Sequence, residues 1–472
     1  MRVSRNIKKQ SMKKLLIVVY LLLTIKIQCQ LNYAPYTNLW TYSWPEVIRI
    51  ADINHDGLND VILGLNSLNQ TYHPNNYSIL IFYQNQNGTL NNPVQYSFND
   101  NWKEIISIDI GDLNQDGLDD ILIGLESSAL GSKYGIFFQN TNHTFASLVS
   151  YPVNERLECA RIGDINNDGI NDMVISIYNT LIIRNQTSPG NFNQNSINKN
   201  FRASEIKISD VNNDGLKDIV ILWSNYWRIY TFYQQNGTFS NLPNLETLLG
   251  EWYDDMAIDD IDNDGQNDIV LTRPVNYNSK IRIHYLNNGV HSNPVLLNAY
   301  DLPGPVEIAD LNNDGKKDII TAHGGWNNLS TYTQNNTGWF STYQLFPLPY
   351  ASTYNFDALS IGDINNDGKK DIVTANSNRG VDILYNTSVL STNESTLSFL
   401  KIYPNPTSDK LYIKNNNLFK DYEVLDSSGR TILKGQLKNE FLNTSNLSTG
   451  KYILILYDKL NDSRITKSFI KK

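Results

Sequence analysis

A nine-residue motif that is rich in carboxylate and amide oxygens occurs seven times in the chain. The copies begin at Asp52, Asp112, Asp164, Asp210, Asp260, Asp310 and Asp363. Numbered 1 to 9, each copy has Asp at positions 1, 5 and 9, Gly at position 6, and Asn or Asp at position 3. Oxygen donors on alternating residues around a sharp turn suit Ca²⁺, which takes roughly six to eight oxygen ligands in flexible geometry. Mg²⁺ fits less well, because it gives up its bound water reluctantly.

Each copy is expected to bind one Ca²⁺ through the side chains at positions 1, 3, 5 and 9 and the backbone carbonyl at position 7, which gives up to seven ions. The predicted ligands are Asp52, Asn54, Asp56, Leu58, Asp60, Asp112, Asn114, Asp116, Leu118, Asp120, Asp164, Asn166, Asp168, Ile170, Asp172, Asp210, Asn212, Asp214, Leu216, Asp218, Asp260, Asp262, Asp264, Gln266, Asp268, Asp310, Asn312, Asp314, Lys316, Asp318, Asp363, Asn365, Asp367, Lys369 and Asp371. One copy alone has Asp at position 3, and we expect it to bind Ca²⁺ most tightly.

Three other interpretations of the motif are weaker. Asp, Asn and Gly also form ordinary turns, but a turn alone does not require three aspartates in each of seven copies. An EF-hand would place Glu at position 12, where the first copy has Leu63, and helices on both sides of the loop. Dockerin-like or thrombospondin-type calcium arrays have motifs much closer together than the 46–60 residues that separate these copies.

Short predicted strands position the motif. Each copy follows an apolar or alternating run such as IRIA or VEIA, and it precedes a β-branched run such as DVILG or DIVIL. A third run ends in an Asn/Gly turn, as in SILIFYQNQNG, and a weak fourth run follows. Four strands in about fifty residues predict one β-propeller blade. The expected fold is therefore all-β, with a seven-bladed propeller over residues 30–386, and residues 37–44 are expected to supply the missing strand of the last blade and close the ring.

The motif D-x-N-x-D-G-x-x-D between the first two strands of a blade resembles the FG-GAP/VCBS repeats of integrin-type β-propellers, over roughly residues 35–390. The resemblance implies one calcium ion in each blade and a secreted or surface-exposed protein. Members of such families are adhesion modules, lectins and non-catalytic accessory domains, and some polysaccharide lyases use calcium-loop propellers. The FG-GAP phrase itself is absent from the sequence.

Beyond a Ser/Thr/Asn-rich linker (387–397), residues 398–472 alternate between short strands and turns at PNP, SSG and STG, which predicts a small Ig-like β-sandwich. This stretch resembles the type A C-terminal sorting domain of type IX secretion cargo in Bacteroidetes. The resemblance is carried by Tyr403, Pro404, Asn405, Pro406, Gly429, Arg430, Gly450, Tyr452 and the final KSFIKK. It implies export by the type IX machinery, followed by removal of the domain and release or surface attachment. An ordinary Ig-like appendage is the alternative.

Residues 1–29 have the pattern of a secretory signal peptide. A basic flank precedes the apolar run LLIVVYLLLTI at 15–25, which is too short to span a bilayer. A lipoprotein anchor at Cys29 is the alternative, and no later segment is predicted to be transmembrane. Without residues 1–29, which hold seven Lys/Arg and no acidic residue, the formal charge changes from −9 to −16. This acidity argues against a nucleic-acid partner. Cys159 then has no disulfide partner, so bound metal is the expected stabilising element.

In a four-stranded blade, the first-to-second and third-to-fourth loops share one face, which leaves the opposite face free for a ligand. The aromatic residues expected on this opposite face are Trp44, Trp102, Trp227, Trp252, Tyr253 and Trp326. Such residues suit a glycan or a protein ligand, although Trp at a blade junction also packs between blades. The sequence shows no serine elbow, HExxH motif or phosphate-binding loop. We therefore expect a binding or adhesion module, with a lyase-like polysaccharide-degrading enzyme or a purely structural surface protein as alternatives.

Overall fold

The computed structural model describes residues 31–66, 77–98, 104–126, 131–198, 201–275, 278–324, 327–335, 337–349, 355–376, 380–388, 401–414, 421–426, 430–437, 441–458 and 463–472. The chain divides into two compact units. One spans Cys29–Val389, and the other contains Leu390–Lys472. The predicted signal peptide and most of the predicted linker lie outside the described residues.

In the unit Cys29–Val389, the described residues form seven four-stranded antiparallel sheets, numbered here 1 to 7 in the order of the motif copies. First strands are Trp44–Ala51, Glu104–Gly111, Leu157–Gly163, Glu205–Ser209, Asp255–Asp259, Pro303–Ala309 and Leu359–Gly362. Second strands are Asp60–Asn66, Asp120–Glu126, Asp172–Ile177, Asp218–Trp223, Asp268–Arg273, Asp318–His323 and Asp371–Asn376. Third strands are Ser78–Phe82, Ser132–Phe137, Thr180–Ser188, Arg228–Phe232, Lys280–His284, Asn328–Tyr332 and Gly380–Leu384. Fourth strands of sheets 1 to 6 are Val94–Ser97, Val149–Val153, Asn191–Asn198, Leu245–Leu248, Val295–Asn298 and Gln344–Pro347.

The described residues of this unit also contain two smaller elements. A short hairpin pairs Leu286–Asn287 with Val290–His291, and a 3-10 turn spans Ser224–Tyr226. The fourth strand of sheet 7 is Thr37–Trp40, which pairs antiparallel with Gly380–Leu384. The prediction that an N-terminal strand completes the last sheet is confirmed, but its predicted end is wrong. The strand stops at Trp40, and Trp44 instead begins the first strand of sheet 1.

Burial is greatest in the second and third strands of a sheet and least in the fourth. All seven residues of the second strand Asp60–Asn66 are buried, whereas the fourth strand Val94–Ser97 is mostly exposed. The second strands are continuous apolar runs because both faces of each sheet are covered by its neighbours. First strands of successive sheets contact one another in turn, and the first strand of sheet 7 contacts that of sheet 1. This all-β arrangement of small antiparallel sheets is consistent with a propeller.

The C-terminal unit is also all-β in its described residues. A three-stranded sheet contains Lys401–Tyr403, Lys410–Lys414 and Phe441–Asn443. A four-stranded sheet contains Thr431–Gln436, Asp421–Leu425, Gly450–Asp458 and Ser463–Lys471. Residues from both sheets share one apolar cluster.

The predicted PNP turn lies against the last strand of the chain. Asn405 Oδ1 accepts a hydrogen bond from the Ile470 amide at 2.9 Å. The Thr407 amide donates to the Ile470 carbonyl at 2.8 Å, and the Lys472 amide donates to the Thr407 carbonyl at 2.9 Å. The two ends of this unit are therefore held together by backbone hydrogen bonds.

Candidate functional site

Hydrogen bonds inside each motif loop fold it around its first aspartate. In the first copy, Asp52 accepts the amides of Asp56 at 3.0 Å and Gly57 at 2.8 Å. Asn54 Oδ1 also accepts the Asp56 amide, at 3.0 Å, and Asp56 Oδ1 accepts the Leu58 amide at 2.9 Å. The bond from the glycine amide to the first aspartate recurs in all seven loops at 2.7–2.9 Å. Backbone amides therefore gather the oxygen donors of positions 1, 3 and 5.

The aspartate at position 9 opens the second strand and is buried in every sheet. In sheet 2, the two oxygens of Asp120 accept the amides of Leu113 and Gln139, both at 2.8 Å. In sheet 1, Asp60 Oδ1 accepts the Gln84 amide at 2.8 Å, and the buried Asp60 Oδ2 has no hydrogen-bond partner among the described residues. Burial raises the pKa of the position-9 carboxyl to about 7 in six of the seven sheets. A cation beside such a carboxylate would offset the cost of burying its charge.

Two positions of each loop have left-handed backbone angles. The glycine at position 6 has φ of 80–90° in all seven copies, and the residue at position 4 has φ of 54–61°. A Cβ built on Gly265 meets nothing within 4 Å, so the backbone angle, and not the available space, favours glycine there. Asn occupies position 4 in five copies, and Asn tolerates this conformation better than most residues. Sequence reasoning explained the glycine and missed position 4, although the repeated Asn was the signal.

The loop with Asp at position 3 brings three carboxylates together. One oxygen from each of Asp260, Asp262 and Asp268 lies within 4.8 Å of the other two. Two oxygens bound to one Ca²⁺ at about 2.4 Å are at most about 4.8 Å apart, so this donor set fits a single ion. Burial and the nearby Asp264 raise the pKa of Asp262. In sheets 1 to 4 the position-3 Asn donates to the position-5 carboxylate, whereas here Gln266 Nε2 makes that bond at 3.1 Å.

A buried glutamine after the third strand links neighbouring sheets. Gln139 Nε2 donates to the carbonyl of Ile53, at position 2 of the preceding loop, at 2.6 Å. Gln334 Nε2 makes the same bond to Ile261 at 2.8 Å, and sheet 4 repeats it. Sheet 5 has Leu286 in this place. Sequence reasoning missed this residue, although a Gln follows the third strand in several copies (YQNQNG, FQNTN, YQQNG).

The connections between strands lie on two faces of the unit, as predicted from the strand order. A Cβ built on Gly88, in the third-to-fourth loop of sheet 1, would lie 2.2 Å from the carbonyl oxygen of Asn365 in the motif loop of sheet 7. The motif loops and the third-to-fourth loops therefore share one face, which we call the motif face. On the other side, the amide of Tyr178, in a second-to-third connection, donates to the carbonyl of Arg156, in a fourth-to-first connection, at 2.9 Å. We call this second side the opposite face.

Two of the aromatic residues predicted for the opposite face are exposed there. Trp227 is 49% exposed and Trp252 is 43% exposed. Trp227 follows the 3-10 turn with φ of 61°, an uncommon conformation for a bulky residue. Trp44 is half-buried at the start of the first strand of sheet 1. Trp102 and Trp326 lie outside the described residues.

The prediction that Tyr253 contributes to the exposed surface is wrong. Tyr253 is 2% exposed and belongs to an apolar cluster, with the guanidinium carbon of Arg282 at 5.5 Å from its ring centroid. Trp252 and Tyr253 are consecutive in the connection that leads into the first strand of sheet 5. One of the pair therefore faces solvent and the other faces the core.

Sequence reasoning overlooked three other exposed aromatic residues on the opposite face. Tyr42 is 65% exposed between sheets 7 and 1. Tyr178 is 50% exposed and Tyr226 is 60% exposed in the second-to-third connections of sheets 3 and 4. Tyr178 and Tyr226, together with Trp227 and Trp252, give four exposed aromatic rings on three consecutive sheets. Tyrosines in turns carry no pattern that distinguishes them in the sequence.

A cavity of about 260 Å³ on this face is lined in part by Trp252. Charged groups on its wall are Arg156, Arg202, Glu158 and Asp254, and Trp252 forms part of its rim. Arg202 Nε lies 2.7 Å from Glu158 Oε2, while Arg156 Nε is 3.8 Å from Glu158 Oε1. Burial raises the pKa of Asp254 to about 6. The lining residues come from sheets 2, 3, 4 and 5 and from the segment before sheet 7, so no single repeat reveals the cavity.

A buried ion-pair network lies where the first strands meet. Arg161 donates two hydrogen bonds to Asp357, at 2.9 and 3.0 Å, and one to Glu205 at 2.7 Å. Arg49 also pairs with Asp357, and Lys207 lies 3.3 Å from Glu205. Burial alone would raise the pKa of Asp357, but Arg161 and Arg49 hold it well below its usual range. Each charge in this network has a partner, which makes its role structural.

Comparison with protein-family models gives two matches. Residues 52–123, 164–221, 210–271, 260–321 and 310–374 match the FG-GAP-like repeat, and these segments cover more than half of the 472 residues. Residues 401–472 match the secretion system C-terminal sorting domain. This domain indicates that the type IX secretion system handles the chain and that the protein is secreted or attached to the cell surface. No helix among the described residues is long and apolar enough to cross a membrane.

A search of curated protein sequences finds no significant match. Among solved structures, BBS1N, crystallised in complex with ARL6DN, shares 11% identity, covers 76% of this chain and 98% of its own, and has a TM-score of 0.52. A lectin of Agrocybe aegerita that recognises non-reducing terminal N-acetylglucosamine shares 15% identity over 90% of this chain and 99% of its own, with a TM-score of 0.47. PorZ, a surface component of the type IX secretion system of Porphyromonas gingivalis, shares 13% identity over 90% of this chain and 59% of its own, with a TM-score of 0.43. The likeness to BBS1N concerns the fold alone.

Proposed function

The chain belongs to the FG-GAP-like repeat family, and from this premise we propose that it is a secreted or cell-surface calcium-binding propeller that acts as a binding or adhesion module. Seven four-stranded sheets, each with one motif loop, support a count of seven blades over residues 30–386. Two sheets around one apolar cluster support an Ig-like sandwich for the sorting domain at 398–472. The ligand is a glycan or a protein.

Calcium in this proposal is structural. The side chains at positions 1, 3, 5 and 9 and the carbonyl at position 7 of each loop would hold the ion. When bound, the ion supplies positive charge that ties the carboxylates of one loop together. The chain's own amides already orient these oxygens, and the left-handed residues at positions 4 and 6 turn the loop back on itself. The clustering of oxygens from Asp260, Asp262 and Asp268 supports this role.

The observation that carries the binding function is the group of exposed rings on the opposite face. Tyr178, Tyr226, Trp227 and Trp252 stand on three consecutive sheets and are 43–60% exposed. Aromatic residues are enriched where proteins bind partners, because they bring a large contact area at a low cost in conformational entropy. Recognition on this face would leave the motif loops to stabilise the fold.

The test uses the full chain, purified in calcium and mixed with soluble and insoluble polysaccharides. Protein depletion and the appearance of new reducing or unsaturated sugar ends are recorded together. Depletion without new ends is the expected result and establishes a glycan-binding module. New ends that disappear in heat-killed controls would contradict the proposal and identify a lyase or hydrolase. If neither signal appears, these polysaccharides are not the ligand, and the binding function then requires a protein ligand.

A further inference from the structure

The geometry of the opposite-face cavity points to a specific ligand class: we propose that it binds one hexose ring of an uncharged glycan. This inference rests on the proposed function, since it assigns a ligand to the same face. It goes further by naming the residues that would contact the sugar and by excluding anionic glycans.

The charges on the cavity wall balance one another. Arg156 and Arg202 contribute two positive charges, and Glu158 and Asp254 contribute two negative charges. A uronic-acid or sulfated sugar would gain no net attraction from such a wall and would lose its hydration. A hydroxyl group both donates and accepts hydrogen bonds, so a neutral sugar can satisfy guanidinium and carboxylate groups side by side.

Two further residues supply the remaining features of a sugar site. Trp252 presents a half-exposed indole at the rim, where the apolar face of a pyranose ring can stack. Ser224 is 5% exposed, and its hydroxyl oxygen has no hydrogen-bond partner among the described residues. A buried hydroxyl without a partner is costly, so Ser224 would gain a hydrogen bond if its side chain turned toward a sugar hydroxyl in the cavity. The lining therefore combines the Trp252 ring and other apolar side chains with charged and hydroxyl groups, as a sugar site requires.

The volume of the cavity limits the ligand to one ring. Its volume of about 260 Å³ is below the range of roughly 300–1,000 Å³ that is usual for drug-sized ligands. Ser204 and Phe356 line the cavity, and the residues that follow them, Glu205 and Asp357, belong to the buried ion-pair network. The cavity wall therefore adjoins this buried network.

The experiment measures binding of the full chain, in calcium, to uncharged polymers (laminarin, galactomannan and xyloglucan) and to anionic ones (polygalacturonate and alginate). Variants Trp252→Ala and Asp254→Asn are compared with Trp339→Ala, whose ring is 64% exposed in a third-to-fourth loop on the motif face. We expect at least one uncharged polymer to bind, and each cavity variant to lose about tenfold or more in affinity. The Trp339→Ala variant should bind like the wild type. Glucose, galactose or mannose should compete if a single ring is the recognised unit.

Thermal melting of each variant shows whether it is folded, so that lost binding is assigned to the site. Uncharged polymer bound equally by wild type and both cavity variants would overturn the cavity assignment and leave the proposed binding function standing. Preferential binding of polygalacturonate or alginate would overturn the neutral-sugar assignment. If the wild type binds none of these polymers, the hexose proposal fails, and the proposed function then rests on a protein ligand alone.

Discussion

The motif face and the opposite face are built from the same seven sheets, and they differ in how much they repeat. On the motif face, every loop has nine residues, the same left-handed pair of positions and the same bond from glycine to the first aspartate. On the opposite face, the connection between second and third strands runs from Asn66 to Ser78 in sheet 1 but only from Ile177 to Thr180 in sheet 3. The loops of the motif face are therefore alike in every sheet, whereas the connections on the opposite face differ from sheet to sheet.

This difference separates two tasks. A feature that every repeat needs for its own stability must appear in every repeat, as the buried position-9 aspartate does. A ligand site needs different groups from different repeats, as in the cavity that joins Arg156, Ser224 and Trp252. Changes on the motif face should therefore alter stability, and changes on the opposite face should alter binding.

Removal of calcium should give the largest effect. A ligand that binds only the folded state at about 100 times its dissociation constant adds about 2.7 kcal/mol for each site, and several sites act together. We expect a chelator to lower the melting temperature of the full chain by more than about 10 °C. The measurement is a thermal melt in calcium and in chelator, with magnesium as the control ion. Equal melting temperatures in both conditions would contradict a stabilising role for the motif face.

The calcium effect should also depend on pH. Without metal, burial raises the pKa of a position-9 carboxyl such as Asp60 from 3.8 to about 7. The folded state then binds more protons than the unfolded state, so this carboxyl contributes stability that is present at low pH and lost as pH rises through about 7. Calcium replaces the proton. The gain in melting temperature on adding calcium should be larger at pH 8 than at pH 5.5; a larger gain at pH 5.5 would contradict the role of these carboxyls.

Loss of the glutamine that links two sheets should have the next largest effect. In Gln334→Leu, the buried carbonyl of Ile261 loses its donor, which should cost about 1–3 kcal/mol in the free energy of unfolding. The control is Gln194→Leu on an exposed fourth strand, expected to change stability by less than about 0.5 kcal/mol. Denaturant unfolding measures both. Equal stability of the two variants would show that the inter-sheet bond contributes nothing.

The left-handed glycine gives a smaller and more local test. In Gly368→Ala, φ of 81° is strained for alanine although its Cβ has room, so we expect a loss of about 1 kcal/mol. In the same loop, Asn366→Gly replaces a residue at φ of 58° with one that adopts this angle freely, and stability should change little. Urea unfolding in saturating calcium compares them. The reverse order of stability would contradict the loop conformation.

The smallest effect is expected at one calcium site. Asp262→Asn removes one carboxylate from its loop and should weaken that site by roughly fivefold to tenfold. The matched variant Asn212→Asp adds a carboxylate at the same position of sheet 4 and should strengthen its site. Calcium titration calorimetry follows both. Unchanged affinity in both variants would remove position 3 from the ligand set.

Much of the motif face follows from the sequence because each repeat carries its own information. Strand order and the glycine turn are local patterns that recur, and the strand missing from the last repeat indicated an N-terminal one, although its end was placed at Trp44 instead of Trp40. The link from Gln139 to Ile53 was missed because it joins different repeats. Tyr253 was misplaced because its exposure depends on which of two consecutive side chains points inward. The cavity was not predictable, since its residues come from connections that lie far apart in the chain.

The most direct test of the calcium account is diffraction from crystals of the full chain grown in calcium, with anomalous scattering used to locate the ions. If calcium stabilises the motif loops, up to seven peaks are expected, each inside a motif loop among the oxygens of positions 1, 3, 5, 7 and 9, and no calcium is expected in the opposite-face cavity. Empty loops at saturating calcium, or ions bound only on the opposite face, would contradict it.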